Sequence, residues 1–161
     1  MERHSQWYIG APNGVVLCIH TRHACEFCGE FFHKYSEAST PFMDLGQMTL
    51  LLEKFFDELQ FPFPSTNERT FFPKKKLPYH PQTERKSIMS DEQLLQKHGD
   101  IGTFIVRVSH RQNSSWQGRI TWMEEDKTIQ FRSIWEMIKL IENAIDSVSS
   151  SEEGEEPSWT E

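Results

Sequence analysis

The chain has 161 residues, of which 37% are hydrophobic and 25% charged, and its formal net charge is −7 at pH 7. This composition is typical of a globular protein with an ordinary core, and the negative charge argues against bulk binding of nucleic acid. The sequence has no apolar run long enough to span a bilayer, and its start, MERHSQWYIG, lacks the apolar stretch of a secretory signal. We therefore expect a cytoplasmic protein that makes no membrane contact.

The strongest internal signal is a duplication with a period of 89 residues. A gapless shift by this length places similar residues on one another: Arg22 on Arg111, Phe27 on Trp116, Gly29 on Gly118, Phe42 on Phe131, Gln47 on Glu136 and Met48 on Met137. Because turn, aromatic and helix positions coincide together, the sequence predicts two copies of one structural unit.

Each copy predicts three strands followed by a helix. Runs of β-branched and aromatic residues predict strands over 15–22 and 27–35 with a short strand ending at Phe42, and over 104–111 and 116–123 with a short strand ending at Phe131. A helix follows in both copies, because Asp44 and Ser133 are N-cap acceptors three residues before a Gln or Glu that can reach back to the cap's amide. The predicted fold class is α+β, with two β-β-β-α repeats that have antiparallel sheets and pack with pseudo-twofold symmetry.

The chain divides into four predicted segments. Residues 1–59 form the first repeat, 60–99 a Pro-rich basic linker, 100–148 the second repeat and 149–161 an acidic tail that we expect to be disordered. The aromatic side chains of the linker would be costly to leave in water, so the linker is expected to wrap along the repeats. Within it, Ser90 and Gln93 form a capping pattern for a short helix that ends at Gly99.

Period-two alternation sorts the second copy into two faces. One set is predicted to form the core under the helix: Phe104, Val106, Val108, Trp116, Ile120, Trp122, Ile129 and Phe131. The opposite set carries four arginines, Arg107, Arg111, Arg119 and Arg132. Beside Gln and Thr donors, these would attract a phosphate backbone or an acidic protein groove, with Lys74, Lys75 and Lys76 of the linker assisting. A solvated face that binds nothing would also carry long charged side chains, so both interpretations stay open.

The corresponding face of the first copy is more apolar, and Glu30 stands where the second copy has Arg119. Its members are Val16, Cys18, His20, Arg22, Cys28, Glu30, Phe32 and Lys34. We expect this surface to join the copies to each other, to a second chain in a homodimer, or to a partner. Trp135, off the main stripe of the second helix, is a further candidate contact with the first copy, the linker or a partner.

A cluster of metal-ligand types lies in the segment HTRHACEFC, with His20, His23, Cys25 and Cys28. Zinc would use these side chains, and the Cys-x-x-Cys pair could alternatively be redox-active or consist of plain thiols on a hairpin. The corresponding positions of the second copy are Ser109, Gln112, Ser114 and Gln117, so the fold itself cannot require a metal. No other cofactor is expected.

The sequence predicts no enzyme. It offers no nucleophile beside a base, no pair of carboxylates in a pocket and no Gly-rich phosphate loop. The run Glu124-Glu125-Asp126 is predicted to be a hairpin turn, and Ser133 is better explained as a helix cap than as a nucleophile.

The stretch SHRQNSSWQGRITWMEEDKTIQFRSIWEMIKLIENAI, residues 109–145, resembles a family of small bacterial proteins with an RQN turn followed by WQG and F-R-S-x-x-E-x-x-x-L-I. The segment GEFFHKYSEASTPFMDLGQMTLLLEKFFDELQFP is similar to a second such group. The resemblance implies a small bacterial protein of a phage or mobile element, a non-catalytic inhibitor of a nucleic-acid machine in the manner of anti-CRISPR proteins. Its target would be a protein or ribonucleoprotein. The alternatives are a direct single-stranded nucleic-acid binder and a small zinc-stabilised regulatory module.

Overall fold

The computed structural model describes residues 9–24, 26–64, 69–72 and 85–153. These residues form an α+β structure with one six-stranded antiparallel sheet and three helices. The elements are β1 (Val15–His23), β2 (Glu26–Phe32), β3 (Thr40–Phe42), α1 (Leu45–Leu59), α2 (Asp91–Leu95), β4 (Gly102–His110), β5 (Gln117–Trp122), β6 (Lys127–Phe131) and α3 (Ile134–Glu153). None of the helices within these ranges is long and apolar enough to cross a membrane.

The strand order is β3-β2-β1-β4-β5-β6, so the sheets expected for two repeats are one continuous sheet. Its centre is the antiparallel pairing of β1 with β4, in which Val16 lies opposite Ile105. We call β1, β2, β3 and α1 the first half, and β4, β5, β6 and α3 the second half. The two halves therefore meet through backbone hydrogen bonds between their first strands, which continue the sheet from one half into the other.

Helices α1 and α3 begin where the capping patterns predict. The Asp44 carboxylate accepts a hydrogen bond from the Gln47 backbone N–H (2.7 Å), and the Ser133 hydroxyl accepts one from Glu136 (3.1 Å). The side chains of Gln47 and Glu136 reach the amide of the residue before the cap, one position earlier than expected. Helix α2 ends before the predicted Gly99, and α3 continues past the predicted boundary at 148.

Both long helices pack on one side of the sheet, which we call the helix side. The apolar stripe of α1 and the buried residues of α3 share a single core cluster with the strand residues predicted to face them. Trp116 is fully buried there, with its ring 5.3 Å from that of Phe56 in an edge-on arrangement. Ile129 is the exception: it was expected in the core and is 49% exposed, because it lies on the edge strand β6.

The opposite surface of the sheet, the far side, carries a second and smaller core. Val16, Cys18, Phe32 and Ile105 are buried beneath side chains that come from outside the two long helices, namely Ile9, Met89, Leu94 and Met123. The carboxyl-terminal part of the linker is hydrogen-bonded to this side of the first half, because the Ile88 and Met89 amides both donate to the Lys34 carbonyl. The face that was expected to contact the other copy or a partner is therefore buried within this chain, under the residues before β1, the linker and Met123 of the second half.

A β-bulge interrupts each central strand near its carboxyl end. The register of β1 shifts between Ile19 and Thr21, and that of β4 shifts between Val108 and His110. A bulge adds one residue to a strand, so every side chain beyond it changes face relative to simple alternation. The bulge in β4 decides where Arg111 points.

Candidate anion-binding face

The far side of the second half carries a polar surface that we call the basic patch, consisting of Arg107, Arg119, Thr128 and Gln130. Arg107 of β4 lies directly opposite Arg119 of β5, and Arg119 lies opposite Gln130 of β6. Arg119, Thr128 and Gln130 are exposed, and Arg107 is half-buried. The patch therefore presents two neighbouring guanidinium groups on a surface formed by three strands.

Two threonines orient the inner arginine. Arg107 Nη2 donates to Thr121 Oγ1 at 3.1 Å, and Thr121 Oγ1 is 2.8 Å from Thr128 Oγ1. Thr121 is buried, so this hydroxyl has a fixed environment beneath the exposed side chains. A preorganised guanidinium loses less side-chain entropy when it binds a carboxylate or phosphate.

The pairing of Arg107 with Arg119 places two positive charges opposite one another in the sheet. Like charges directly opposite one another in neighbouring antiparallel strands are destabilising. The positions 89 residues earlier are Cys18 and Glu30, which also lie opposite each other and carry no such repulsion. The same location in the sheet thus tolerates a neutral and acidic pair, and the second half instead holds two cations.

Arg132 lies directly after β6 and is 85% exposed. Its Nη2 is 3.2 Å from Glu136 Oε2, an ion pair of the i,i+4 type at the start of α3. Exposed pairs of this kind contribute little to stability, so the guanidinium can exchange Glu136 for another anion at low cost. Arg132 is therefore an accessory cation beside the basic patch.

Arg111 does not belong to this face, and its predicted position is wrong. It is only 3% exposed and lies on the helix side, where its guanidinium donates to the carboxylates of Glu53 (3.1 Å) and Asp57 (2.6 Å). It also donates to the carbonyl oxygens of Pro62 (2.6 Å) and Phe56 (3.5 Å). The bulge at Val108 and His110 reverses the alternation before residue 111, which is why the period-two prediction failed.

The remaining predicted binding residues fall outside the patch. Lys74, Lys75 and Lys76 lie outside the described residues. Trp135 is 64% exposed on α3, with the Lys139 ammonium 5.3 Å from the centre of its ring. Trp135 is therefore not buried against the first half, and a contact of Trp135 with the linker or with a partner stays a prediction.

Two of the predicted zinc ligands, His20 and Cys28, have other contacts, and His23 is exposed. His20 Nε2 is 3.3 Å from Glu30 Oε1, its Nδ1 accepts a hydrogen bond from the Asp100 amide, and the Cys28 thiol donates to the Met43 carbonyl. Cys25 lies outside the described residues. Within the described ranges, no group of three or more His, Cys, Asp or Glu side chains is arranged to hold a metal ion.

The thiol of Cys18 is not a candidate for a reactive group. It is fully buried in the far-side core, and burial, followed by the nearby Glu30 carboxylate, raises the pKa of its thiol to about 12. Since the thiolate is the reactive form of cysteine, this side chain acts as an apolar core residue at neutral pH.

Thr128 of the basic patch was not singled out from the sequence, which named only Gln and Thr donors beside the arginines. The signal was present, because the hairpin between β5 and β6 has a short polar turn that fixes Thr121 opposite Thr128 and Arg119 opposite Gln130. The placement of Arg107 opposite Arg119 could be derived from the β4–β5 pairing in the same way.

No protein-family model, curated protein or solved structure shows significant similarity to this chain. The basic patch is therefore interpreted from its own geometry.

Proposed function

We propose that this chain is a non-catalytic binding protein that contacts an anionic surface of a protein or ribonucleoprotein through its basic patch. The observation that carries the proposal is the placement of Arg107 directly opposite Arg119. Two guanidinium groups on neighbouring strands can both donate charge-assisted hydrogen bonds to one carboxylate or phosphate group. Two adjacent arginines also provide the bidentate donors that planar anionic groups require.

The resemblance to small bacterial proteins leads us to place the target in a bacterial nucleic-acid machine, with this protein as an inhibitor carried by a phage or other mobile element. Such a protein would act in the cytoplasm. An inhibitor of this kind needs a binding interface and no catalytic group. We expect Arg107, Arg119 and Arg132 to form that interface with an anionic surface of the target.

Direct binding of single-stranded nucleic acid is the second candidate, and the basic patch favours it less. Proteins that hold single strands combine cationic side chains with exposed aromatic rings on which the bases stack. The patch contains arginine, threonine and glutamine, whereas Trp116 and Trp122 face the helix side. The patch is therefore better suited to fixed acidic groups on a folded partner.

We also propose that the two halves are copies of one β-β-β-α unit, related by a pseudo-twofold axis between β1 and β4. Val15 pairs with Val106 and Leu17 with Phe104, which are the same pairing under the 89-residue shift. Corresponding bulges, corresponding helix caps and the glycine pair further support this relation. An added Cβ at Gly29 would lie 2.0 Å from the Cys18 carbonyl oxygen, and one at Gly118 would lie 2.0 Å from that of Arg107.

Reciprocal ion pairs across the centre support the same proposal. Arg22 at the end of β1 pairs with Asp146 of α3, and Arg111 after β4 pairs with Asp57 of α1. Both members of the first pair are related to those of the second by the shift of 89 residues. In each case an arginine from one half reaches the helix of the other half, as a twofold relation requires.

The function is tested by affinity capture from a bacterial lysate, with and without nuclease, using the wild-type chain and a double variant, Arg107→Glu and Arg119→Glu. We expect a discrete protein or ribonucleoprotein that survives nuclease, with affinity reduced at least about tenfold in the double variant because attraction becomes repulsion. Lys54→Glu, which reverses one charge at an exposed position of α1, is the control, and it is matched in charge by each single variant, Arg107→Glu and Arg119→Glu.

Three results distinguish the candidates. Capture that is retained by Lys54→Glu and lost in the double variant supports the proposal. Nucleic acid alone in the eluate, lost with nuclease and at high salt, supports the single-strand binder instead. Equal capture by the wild type and the double variant would show that the basic patch is not the interface.

A further inference from the structure

A cavity of about 210 Å³ opens between α3 and the strands of the second half, on the helix side of the sheet. Its apolar lining consists of Phe104, Ile120, Trp122, Ile129, Leu140 and Ala144. The cavity lies beside the edge strand β6, where Ile129 is half-exposed, so it is accessible from solvent. It lies on the opposite side of the sheet from the basic patch.

The cavity exists because a small residue occupies a position that holds a large one in the first half. Ala144 of α3 corresponds to Phe55 of α1 under the shift of 89 residues, and Trp122 of β5 corresponds to His33. In the first half these side chains fill the space, since the Phe55 ring is buried and stacks on His33 with 4.2 Å between ring centres. The second half leaves the corresponding space open beside Trp122.

The size and lining of the cavity indicate the ligand that it fits. An apolar protein cavity of ~150 Å³ holds a benzene-sized molecule, so a space of about 210 Å³ accommodates one aromatic ring with a short substituent. Two polar side chains complete the lining, Lys127 of β6 and Asn143 of α3, both exposed at the cavity. An ammonium and an amide beside an apolar pocket suit a carboxylate attached to the ring.

We propose that this cavity is a binding site for a small aromatic carboxylate, with the ring against Trp122 and Ala144 and the carboxylate at Lys127 and Asn143. The site is independent of the proposed function, because it uses none of the residues of the basic patch. Loss of one activity therefore leaves the other intact.

The proposal is tested by NMR titration of the ¹⁵N-labelled full chain with phenylacetate, following the Trp122 indole N–H signal and the Asn143 side-chain amide. We expect saturable shifts at both groups, and weaker binding of the uncharged analogue phenylacetamide. Lys127→Gln should remove the preference for phenylacetate over phenylacetamide while both still bind, because it removes the ammonium and keeps the apolar pocket.

The decisive variant is Ala144→Phe, which installs the residue that the first half uses at the corresponding position. We expect phenylacetate affinity to fall at least about tenfold, equivalent to 1.4 kcal/mol, because the new ring occupies the cavity. Ala144→Leu serves the same purpose if the larger side chain prevents folding. Ala38→Phe, at an exposed alanine of the first half, is the matched control and should bind as the wild type does.

Saturable binding that Ala144→Phe or Ala144→Leu abolishes and Ala38→Phe retains supports the site. The proposal is overturned if millimolar phenylacetate leaves the Trp122 and Asn143 signals unshifted. It is equally overturned if a folded Ala144→Phe or Ala144→Leu protein binds phenylacetate as tightly as the wild type.

Discussion

The two halves of the sheet have the same element order and differ in how they use their surfaces. In the first half, Phe55 and His33 fill the helix side, and Glu30 on the far side is within ion-pair distance of His20. In the second half, Ala144 leaves a cavity, and Arg119 stands opposite a second arginine. The first half fills its core at this position and carries an acidic residue there on the far side, whereas the second half leaves a cavity and carries two neighbouring cations.

The largest expected effect comes from making the first half resemble the second. Phe55→Ala should lower the free energy of unfolding by about 3 kcal/mol, because it removes a buried ring and leaves a cavity. Ala144→Phe, the opposite change, should be neutral or stabilising. Urea denaturation of both variants measures the difference. A loss at Phe55 of less than about 1 kcal/mol would contradict the view that this ring is a core element.

The reciprocal ion pairs should differ in strength although they correspond in position. Arg111→Ala should destabilise the fold by about 3 kcal/mol, since it removes a buried side chain and leaves the carbonyl oxygens of Pro62 and Phe56 without this donor. Arg22→Ala should cost about 1 kcal/mol or less, because Arg22 and Asp146 are both partly exposed. The two variants are compared by urea denaturation at the same ionic strength. Equal losses would contradict this ranking.

The first half should also be acid-sensitive at His33. Burial, and then the positive charge of Arg85, lower the pKa of His33 from 6.5 to about 4, and its neutral Nδ1 accepts a hydrogen bond from the Tyr35 amide. The unfolded chain therefore binds more protons than the folded chain between these two values, so this contribution to stability is complete above pH 6.5 and is lost toward pH 4.

We expect the unfolding free energy to fall by on the order of 1–2 kcal/mol as His33 becomes protonated. This value is smaller than the full pKa difference would give, because the ring is partly exposed. The measurement is the difference in unfolding free energy between wild type and His33→Gln, taken at pH 7 and at pH 4.5. The difference should shrink as the pH falls. A difference that stays constant over this range would show that His33 does not titrate as described.

Sequence patterns predicted the local elements well, because their causes are local. The caps at Asp44 and Ser133 and the core positions Phe104 and Trp116 follow from spacing alone, and all four are confirmed. Residues beyond a bulge could not be placed in this way. Arg111 changes face because one extra residue in β4 breaks the period of two, and no sequence pattern marks that position.

Features that depend on distant segments were also missed. The sequence predicted that the apolar far side of the first half contacts the other copy or a partner. Much of the cover comes instead from Ile9, which precedes β1, and from Leu94 of α2. The cavity at Ala144 was not predicted from the sequence either, although the alignment of the two halves shows that Ala144 corresponds to Phe55. Volume differences between corresponding core positions were the unused signal.

The central claim is that Arg107 and Arg119 are placed together for binding rather than for stability, and the unfolding free energy of Arg119→Glu tests it most directly. Glu is the residue at the corresponding position of the first half, and it would turn a repulsion with Arg107 into an attraction. We predict an increase of about 0.5 kcal/mol in urea denaturation, with no change for the control Arg119→Lys. A decrease of about 1 kcal/mol or more in Arg119→Glu would show instead that the arginine pair stabilises the sheet, and would contradict the account.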